Sequence, residues 1–182
     1  MSSNAANPLL EVHELVVEYR HPAQGTCVRA VDGVSFQLGR GMSFGVIGPS
    51  GSGKTSLALA CVGLIRPLAG TVFHLGSDID HGRSLFRGRR SCWQMVFQNP
   101  YTACNPSRSL HRSLSWLIER RAVADPALPT PEHYLDLVQL PGSLAHEYPG
   151  NLSGGECQRF CIAVALAAGA LALSERLPLS PF

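Results

Sequence analysis

Residues 48–55 read Gly-Pro-Ser-Gly-Ser-Gly-Lys-Thr and match the pattern G-x-x-x-x-G-K-[ST], called the P-loop below. A loop that binds a triphosphate needs inward-pointing backbone N–H groups, a positive side chain and a hydroxyl group for Mg²⁺. The three glycines permit the tight path, Lys54 supplies the charge and Thr55 supplies the hydroxyl. An apolar run precedes the motif and a helical pattern follows it. The sequence therefore predicts an ATP site rather than an ordinary glycine-rich turn.

A second motif, residues 152–159, reads Leu-Ser-Gly-Gly-Glu-Cys-Gln-Arg and is called the signature below. Its serine suits a helix N-cap, and the free N–H groups and dipole of such a helix start suit an anion. A P-loop alone leaves kinases, GTPases, helicases and transport ATPases open. The octet resembles the signature of ATP-binding cassette (ABC) proteins. In that family the signature follows the P-loop by about 100 residues, as the octet does here. The resemblance implies that Ser153, Gly154 and Gly155 contact the γ-phosphate of ATP held by a second ATP-binding subunit, identical or different.

Two further positions match the family. Gln98 resembles the glutamine that touches Mg²⁺ or the attacking water and links to the membrane subunit. Tyr19 stands where the family places an aromatic ring against adenine, although a lone tyrosine in a strand is more often a packing residue. The resemblance implies ATP and Mg²⁺ as cofactors, with Thr55 and Gln98 as metal contacts. The expected nucleotide contacts are Tyr19, Gly48, Pro49, Ser50, Gly51, Ser52, Gly53, Lys54, Thr55, Ser56, Gln98, Ser153, Gly154 and Gly155.

Residues 97–106, Phe-Gln-Asn-Pro-Tyr-Thr-Ala-Cys-Asn-Pro, are similar to the segment that follows this glutamine in the peptide and nickel importer branch. Tyr148 and Pro149, shortly before the signature, agree with that branch. The resemblance implies membrane permease subunits as partners and a cytoplasmic, peripheral position on the inner face of the plasma (inner) membrane. It leaves the cargo open among oligopeptide, dipeptide and nickel chelate.

The chain departs from the family after the signature helix, where the family has an apolar strand ending in Asp-Glu. Counting without gaps, those two places fall on Arg176 and Leu177, followed by a matching Pro178. Neither side chain can hold Mg²⁺ or polarise water, and Glu175 reaches the position only after a slip in the alignment. No catalytic residue is therefore assigned, and weak ATP binding with negligible hydrolysis is expected.

The same departure suggests a C-terminally truncated or frameshifted chain, or a fragment whose other half is separately encoded. The alternative to an importer subunit is accordingly a hydrolysis-deficient nucleotide-binding remnant without transport activity. The family's later strands have no counterpart in the sequence, so an unpaired sheet edge and exposed apolar surface are expected.

Composition adds few constraints. The chain has 182 residues, is 45% hydrophobic and carries a net charge of +2, which fits one globular domain and gives no reason to expect nucleic acid as a partner. No secretory signal or membrane-spanning run is present.

The six cysteines contain no C-x-x-C pair. Cys157 and Cys161 could share a metal, but no His or second cysteine pair converges in sequence, which favours packing.

The predicted fold is α/β: a P-loop NTPase domain of the ABC type with an N-terminal antiparallel β subdomain and a helical insert, incomplete at the C-terminus. The predicted domain covers residues 9–168, with the insert at about 101–150 and a divergent tail at 169–182. Strands are predicted within 9–20 and at 28–38, 42–47, 70–73 and 95–97, with 42–47 buried. Helices are predicted at 55–64, 109–121 and 131–139, and from Ser153 to about residue 168.

Overall fold

The computed structural model describes residues 8–20, 25–79, 93–122, 128–169 and 172–175. The chain forms two compact units, Met1–Arg90 and Ser91–Phe182. The tail positions Arg176, Leu177 and Pro178 lie outside the described residues. The elements are β1 (Leu10–Arg20), β2 (Cys27–Leu38), α1 (Lys54–Cys61), β3 (Ala69–His74), β4 (Ser77–Asp78), β5 (Trp93–Val96), α2 (Leu110–Ala122), α3 (Pro131–Leu137), α4 (Gly154–Ala167) and β6 (Ala172–Glu175).

The first unit contains an antiparallel sheet with strand order β2-β1-β3-β4, which confirms the predicted antiparallel β subdomain. The inner strand β1 buries Val12 and Leu15, although residues three apart should face opposite sides of a regular strand. The pairing register shifts between these two residues, and Glu14 between them has φ +45°. This β-bulge returns the apolar side chains to the core side, against which α1 packs.

The prediction of a buried strand at residues 42–47 is wrong. This run has no strand conformation, and its side chains Met42, Phe44, Val46 and Ile47 are 44–86% exposed. A strand is stable only when a neighbour satisfies its backbone N–H and C=O groups, and no described strand pairs with this run. The Phe44 ring stacks on Phe36 with 4.6 Å between centroids. The expectation of exposed apolar surface is confirmed here.

The second unit combines a short parallel pair with three helices. Strand β5 pairs with β6, with Trp93 opposite Ala172 and Val96 opposite Glu175. Helices α2 and α3 form the predicted helical insert and pack against α4. The domain limits stay predictions. The shared core of helices α2, α3 and α4 consists of the buried residues Leu110, Leu114, Tyr134, Leu135, Val138, Leu140, Ala145, Leu152, Cys157, Phe160, Ala163 and Ala167.

The end of α4 is held by a contact from α2. The Arg121 guanidinium donates a hydrogen bond of 2.7 Å to the Ala167 carbonyl, in the last turn of α4. A cation at this end of a helix satisfies a free carbonyl and complements the helix dipole.

Within the described residues, no helix combines the length and apolar character needed to cross a membrane.

Candidate functional site

The P-loop follows the irregular run 42–47 and leads directly into α1. Gly51 and Gly53 adopt φ values of +82° and +87°, in the left-handed region that favours glycine. A Cβ atom on Gly53 would lie 1.9 Å from the Ala30 carbonyl oxygen, so a side chain is excluded there by contact as well as by conformation. The loop therefore has the tight path expected of a phosphate-binding turn.

Lys54 is the first residue of α1 and folds back over the loop. Its Nζ donates to the carbonyl oxygens of Gly48 at 2.8 Å and Pro49 at 2.6 Å, with the Ser52 hydroxyl at 3.4 Å. These contacts place a positive charge inside the loop next to a helix N-terminus. Both features attract an anion. Thr55 follows on the first turn of α1 and is half-buried.

Tyr19 and Ser56 come together at the same helix. The Tyr19 hydroxyl donates to the Ser56 hydroxyl oxygen at 3.2 Å, and 44% of Tyr19 is exposed. Tyr19 therefore lies beside the first turn of α1, with much of its ring accessible to a planar ligand. The remaining predicted P-loop residue, Ser50, is exposed.

Gln98 belongs to the second unit and is exposed, two residues after the end of β5. The chain then turns sharply: the Asn99 side chain accepts from the Tyr101 N–H at 3.2 Å, and Pro100 is buried. The Tyr101 hydroxyl donates to the Leu152 carbonyl oxygen at 2.8 Å. This bond joins the segment after Gln98 to the first residue of the signature.

The signature forms the N-terminus of α4 as predicted. Ser153 is the N-cap: its hydroxyl oxygen accepts from the Glu156 N–H at 3.4 Å, while the Glu156 carboxylate accepts from the Ser153 N–H at 2.8 Å. These reciprocal bonds are a capping box. Hydrogen bonds from the hydroxyl and backbone N–H of Ser153 lower the pKa of Glu156. Gly154 and Gly155 are exposed, and a Cβ on either would meet nothing within 4 Å.

The structure thus groups the predicted site residues in two places. Tyr19, Ser56 and the P-loop lie in the first unit, whereas Gln98 and the signature lie in the second. Glu175, the carboxylate nearest to the expected Asp-Glu pair, is the last residue of β6 and lies opposite Val96 in the register. The positions themselves, Arg176 and Leu177, lie outside the described residues.

The family model described as ABC transporter matches residues 31–173, which is more than half of the chain. The chain belongs to the ABC transporter family. Among ABC relatives, the chain is 33% identical to the oligopeptide transport ATP-binding protein OppF of Haemophilus influenzae, covering 90% of the chain and 53% of the relative. It is 35% identical to the oligopeptide transport ATP-binding protein AppF of Bacillus subtilis, covering 76% of the chain and 44% of the relative.

The chain spans about half the length of the curated ABC relatives it matches. Two solved ABC structures have the same fold. The ATP-binding cassette MJ0796, a dimer in a post-hydrolysis state bound to ADP and Pi, aligns with a TM-score of 0.75 at 22% identity, covering 91% of this chain and 72% of that one. CbiO1 of Clostridium perfringens, part of the ABC transporter complex cbiONQ, aligns with a TM-score of 0.69 at 25% identity, covering 92% and 64%. The predicted ABC-type α/β fold is confirmed.

Proposed function

We propose that this chain is the ATP-binding subunit of an ABC importer that couples ATP binding and hydrolysis to transmembrane transport. The observation that carries the ATP-binding part of this proposal is the position of Lys54, whose Nζ lies 2.8 and 2.6 Å from two loop carbonyl oxygens at the start of α1. The relatives named for oligopeptide transport favour a peptide as the cargo. A nickel chelate as the cargo is supported only by the sequence similarity of residues 97–106, Tyr148 and Pro149 to the peptide and nickel importer branch.

A triphosphate would replace the present contacts of Lys54. The ammonium group is shared between neutral carbonyl oxygens, and an anionic phosphate oxygen is a stronger acceptor than either. The N–H groups of the P-loop and the dipole of α1 would hold the phosphates, while Thr55 and Gln98 would contact Mg²⁺. Tyr19 would stack on adenine with its exposed ring.

The signature suggests the partner. Gly154 and Gly155 leave the first turn of α4 open, which suits the phosphate of a nucleotide held by a second ATP-binding subunit. We propose a homo- or heterodimer docked on membrane permease subunits, on the cytoplasmic side of the plasma (inner) membrane. No nucleic acid is proposed as a ligand.

Equilibrium titration of the full chain with a fluorescent ATP analogue and Mg²⁺ tests the nucleotide site. A charged hydrogen bond contributes about 1.5–3 kcal/mol, so Lys54→Ala should weaken binding by about 10- to 100-fold. Arg66→Ala, which removes an exposed cation outside the P-loop, is the matched control and should bind like the parent chain. Equal affinity of Lys54→Ala and the parent chain would refute the site.

The second candidate function is a hydrolysis-deficient nucleotide-binding remnant without transport activity. It is favoured by Arg176 and Leu177, which stand where the family carries Asp-Glu. Steady-state phosphate release from monodisperse protein distinguishes the two candidates. ATP binding without phosphate release supports the remnant, whereas release at a rate typical of ABC ATPases excludes it and supports the importer subunit.

A further inference from the structure

Three cysteine side chains of the second unit converge at one point. Cys104 follows the 3-10 turn Pro100–Thr102, whereas Cys157 and Cys161 lie one turn apart on α4. The three Sγ atoms all lie within 4.8 Å of one another, and those of Cys104 and Cys161 are 3.5 Å apart. In the sequence, only the spacing of Cys157 and Cys161 suggests that two cysteines could share a ligand. The third thiol, supplied by the segment after Gln98, completes a possible ligand set.

We propose that Cys104, Cys157 and Cys161, called the thiol cluster below, bind one thiophilic metal ion of the zinc(II) class. Zinc lies about 2.3 Å from a thiolate sulfur, so three sulfurs around one ion stand about 3.8–4.0 Å apart in tetrahedral or trigonal geometry. The sulfur spacing in the structure brackets this value. Small side-chain rotations would therefore bring all three sulfurs to bonding distance. The fourth position of a tetrahedral ion would remain for solvent.

The surroundings suit a soft cation. Cys157 and Cys161 are buried, with 0% and 7% exposure, whereas Cys104 is half-buried and offers an approach from the surface. Val96, Ala165 and Ile162 form the apolar contacts beside Cys161. Thiolate ligands favour zinc and other thiophilic ions over Mg²⁺ or Ca²⁺, which prefer oxygen ligands. The cluster is accordingly distinct in chemistry from the proposed Mg²⁺ contacts.

The protonation of the three thiols is unequal. A hydrogen bond from the Cys104 thiol lowers the pKa of Cys161, and the same bond raises the pKa of Cys104. Burial raises the pKa of Cys157 to about 12. Each of the three S–Zn bonds replaces an S–H bond, so full ligation releases three protons to water and transfers no electron.

A bound ion would join two segments that already touch. The Cys161 thiol donates to the Pro100 carbonyl oxygen at 3.5 Å, and Tyr101 bonds to the Leu152 carbonyl oxygen. Metal–sulfur bonds at the thiol cluster would tie the segment after Gln98 to α4 covalently. This role does not depend on nucleotide binding, so the two proposals succeed or fail separately.

Metal loading of the reduced full chain tests the thiol cluster. The protein is treated with a non-thiol reductant, incubated with Zn²⁺ and desalted, and bound zinc is counted by mass spectrometry. Cd²⁺ serves as a spectroscopic probe, because thiolate ligation produces a charge-transfer band in the ultraviolet. We expect one equivalent of either ion, with release of about three protons on zinc binding.

Alanine variants assign the ligands. Cys104→Ala and Cys161→Ala should lose the equivalent of zinc and the cadmium band, whereas Cys27→Ala and Cys61→Ala, outside the cluster, should keep both. Circular dichroism must show unchanged helix content, and Cys104→Ala is the decisive variant because Cys104 is half-buried and lies outside α4. Zinc retained by Cys104→Ala, or no zinc in the reduced parent chain, would overturn the proposal.

Discussion

Replacing Gly53 with alanine probes the tightest backbone contact of the P-loop. A Cβ atom there would lie 1.9 Å from the oxygen and 2.9 Å from the carbon of the Ala30 carbonyl group. Gly51 provides a matched control, because its φ of +82° is close to the +87° of Gly53 but a Cβ on it would meet nothing within 4 Å. The pair of variants separates backbone strain from steric contact.

The expected magnitudes follow from these two costs. Alanine in the left-handed region costs about 1–2 kcal/mol, and Gly51→Ala should lose this amount of the free energy of unfolding. Gly53→Ala must also move the Ala30 carbonyl by about 1 Å, and overpacking of this kind costs about 1–3 kcal/mol more. Gly53→Ala should therefore lose about 2–5 kcal/mol in total.

Urea unfolding followed by far-ultraviolet circular dichroism measures both losses in the full chain. The comparison is valid where the slopes of the transitions agree, because a changed slope indicates a changed unfolding reaction. The affinity for the fluorescent ATP analogue should fall in the same order, with Gly53→Ala the weaker binder. Equal stability losses in the two variants would refute the close approach of Gly53 to β2.

Three further predictions concern the second unit. Ser153→Ala should lower the free energy of unfolding by about 1 kcal/mol by removing the N-cap of α4, and an unchanged urea midpoint would contradict this. The pKa of Glu156 is lowered by folding, so its contribution to stability is complete above the ordinary value of 4.5 and is lost as the pH falls through the folded value. Melting temperatures below pH 4.5 should therefore vary less steeply in Glu156→Gln than in the parent chain. Tyr101→Phe should cost about 1 kcal/mol by leaving the Leu152 carbonyl without this donor, whereas Tyr148→Phe, at a similarly exposed tyrosine, should cost nothing measurable in urea unfolding.

Sequence patterns predict those helices and strands that are determined by residues close together in the chain. Ser153 followed by Glu156 at the third helical position predicts the start of α4, because a capping box is complete within four residues. The apolar, β-branched run of β1 likewise predicts its strand. Residues 42–47 show the limit: their pattern indicates burial, but burial requires a neighbouring strand that the pattern does not contain.

The features that the sequence does not predict depend on contacts between residues far apart in the chain. The sequence indicates that Lys54 carries the charge of the P-loop, but not that it bonds to the Gly48 and Pro49 carbonyl oxygens. Similarly, Cys104 and Cys161 are 57 residues apart, so no spacing rule for metal ligands would join them. Only the packing of the segment after Gln98 against α4 brings these thiols together.

The irregular run 42–47 also bears on nucleotide affinity through conformational entropy. The P-loop continues into α1 on one side, but on the other side it follows six residues without strand pairing. Fixing the backbone of one residue costs about 1–2 kcal/mol, so ordering even two of them on binding would weaken affinity by about 30- to 1,000-fold. Any strand that paired with this run would preorganise the P-loop and strengthen nucleotide binding without touching the nucleotide.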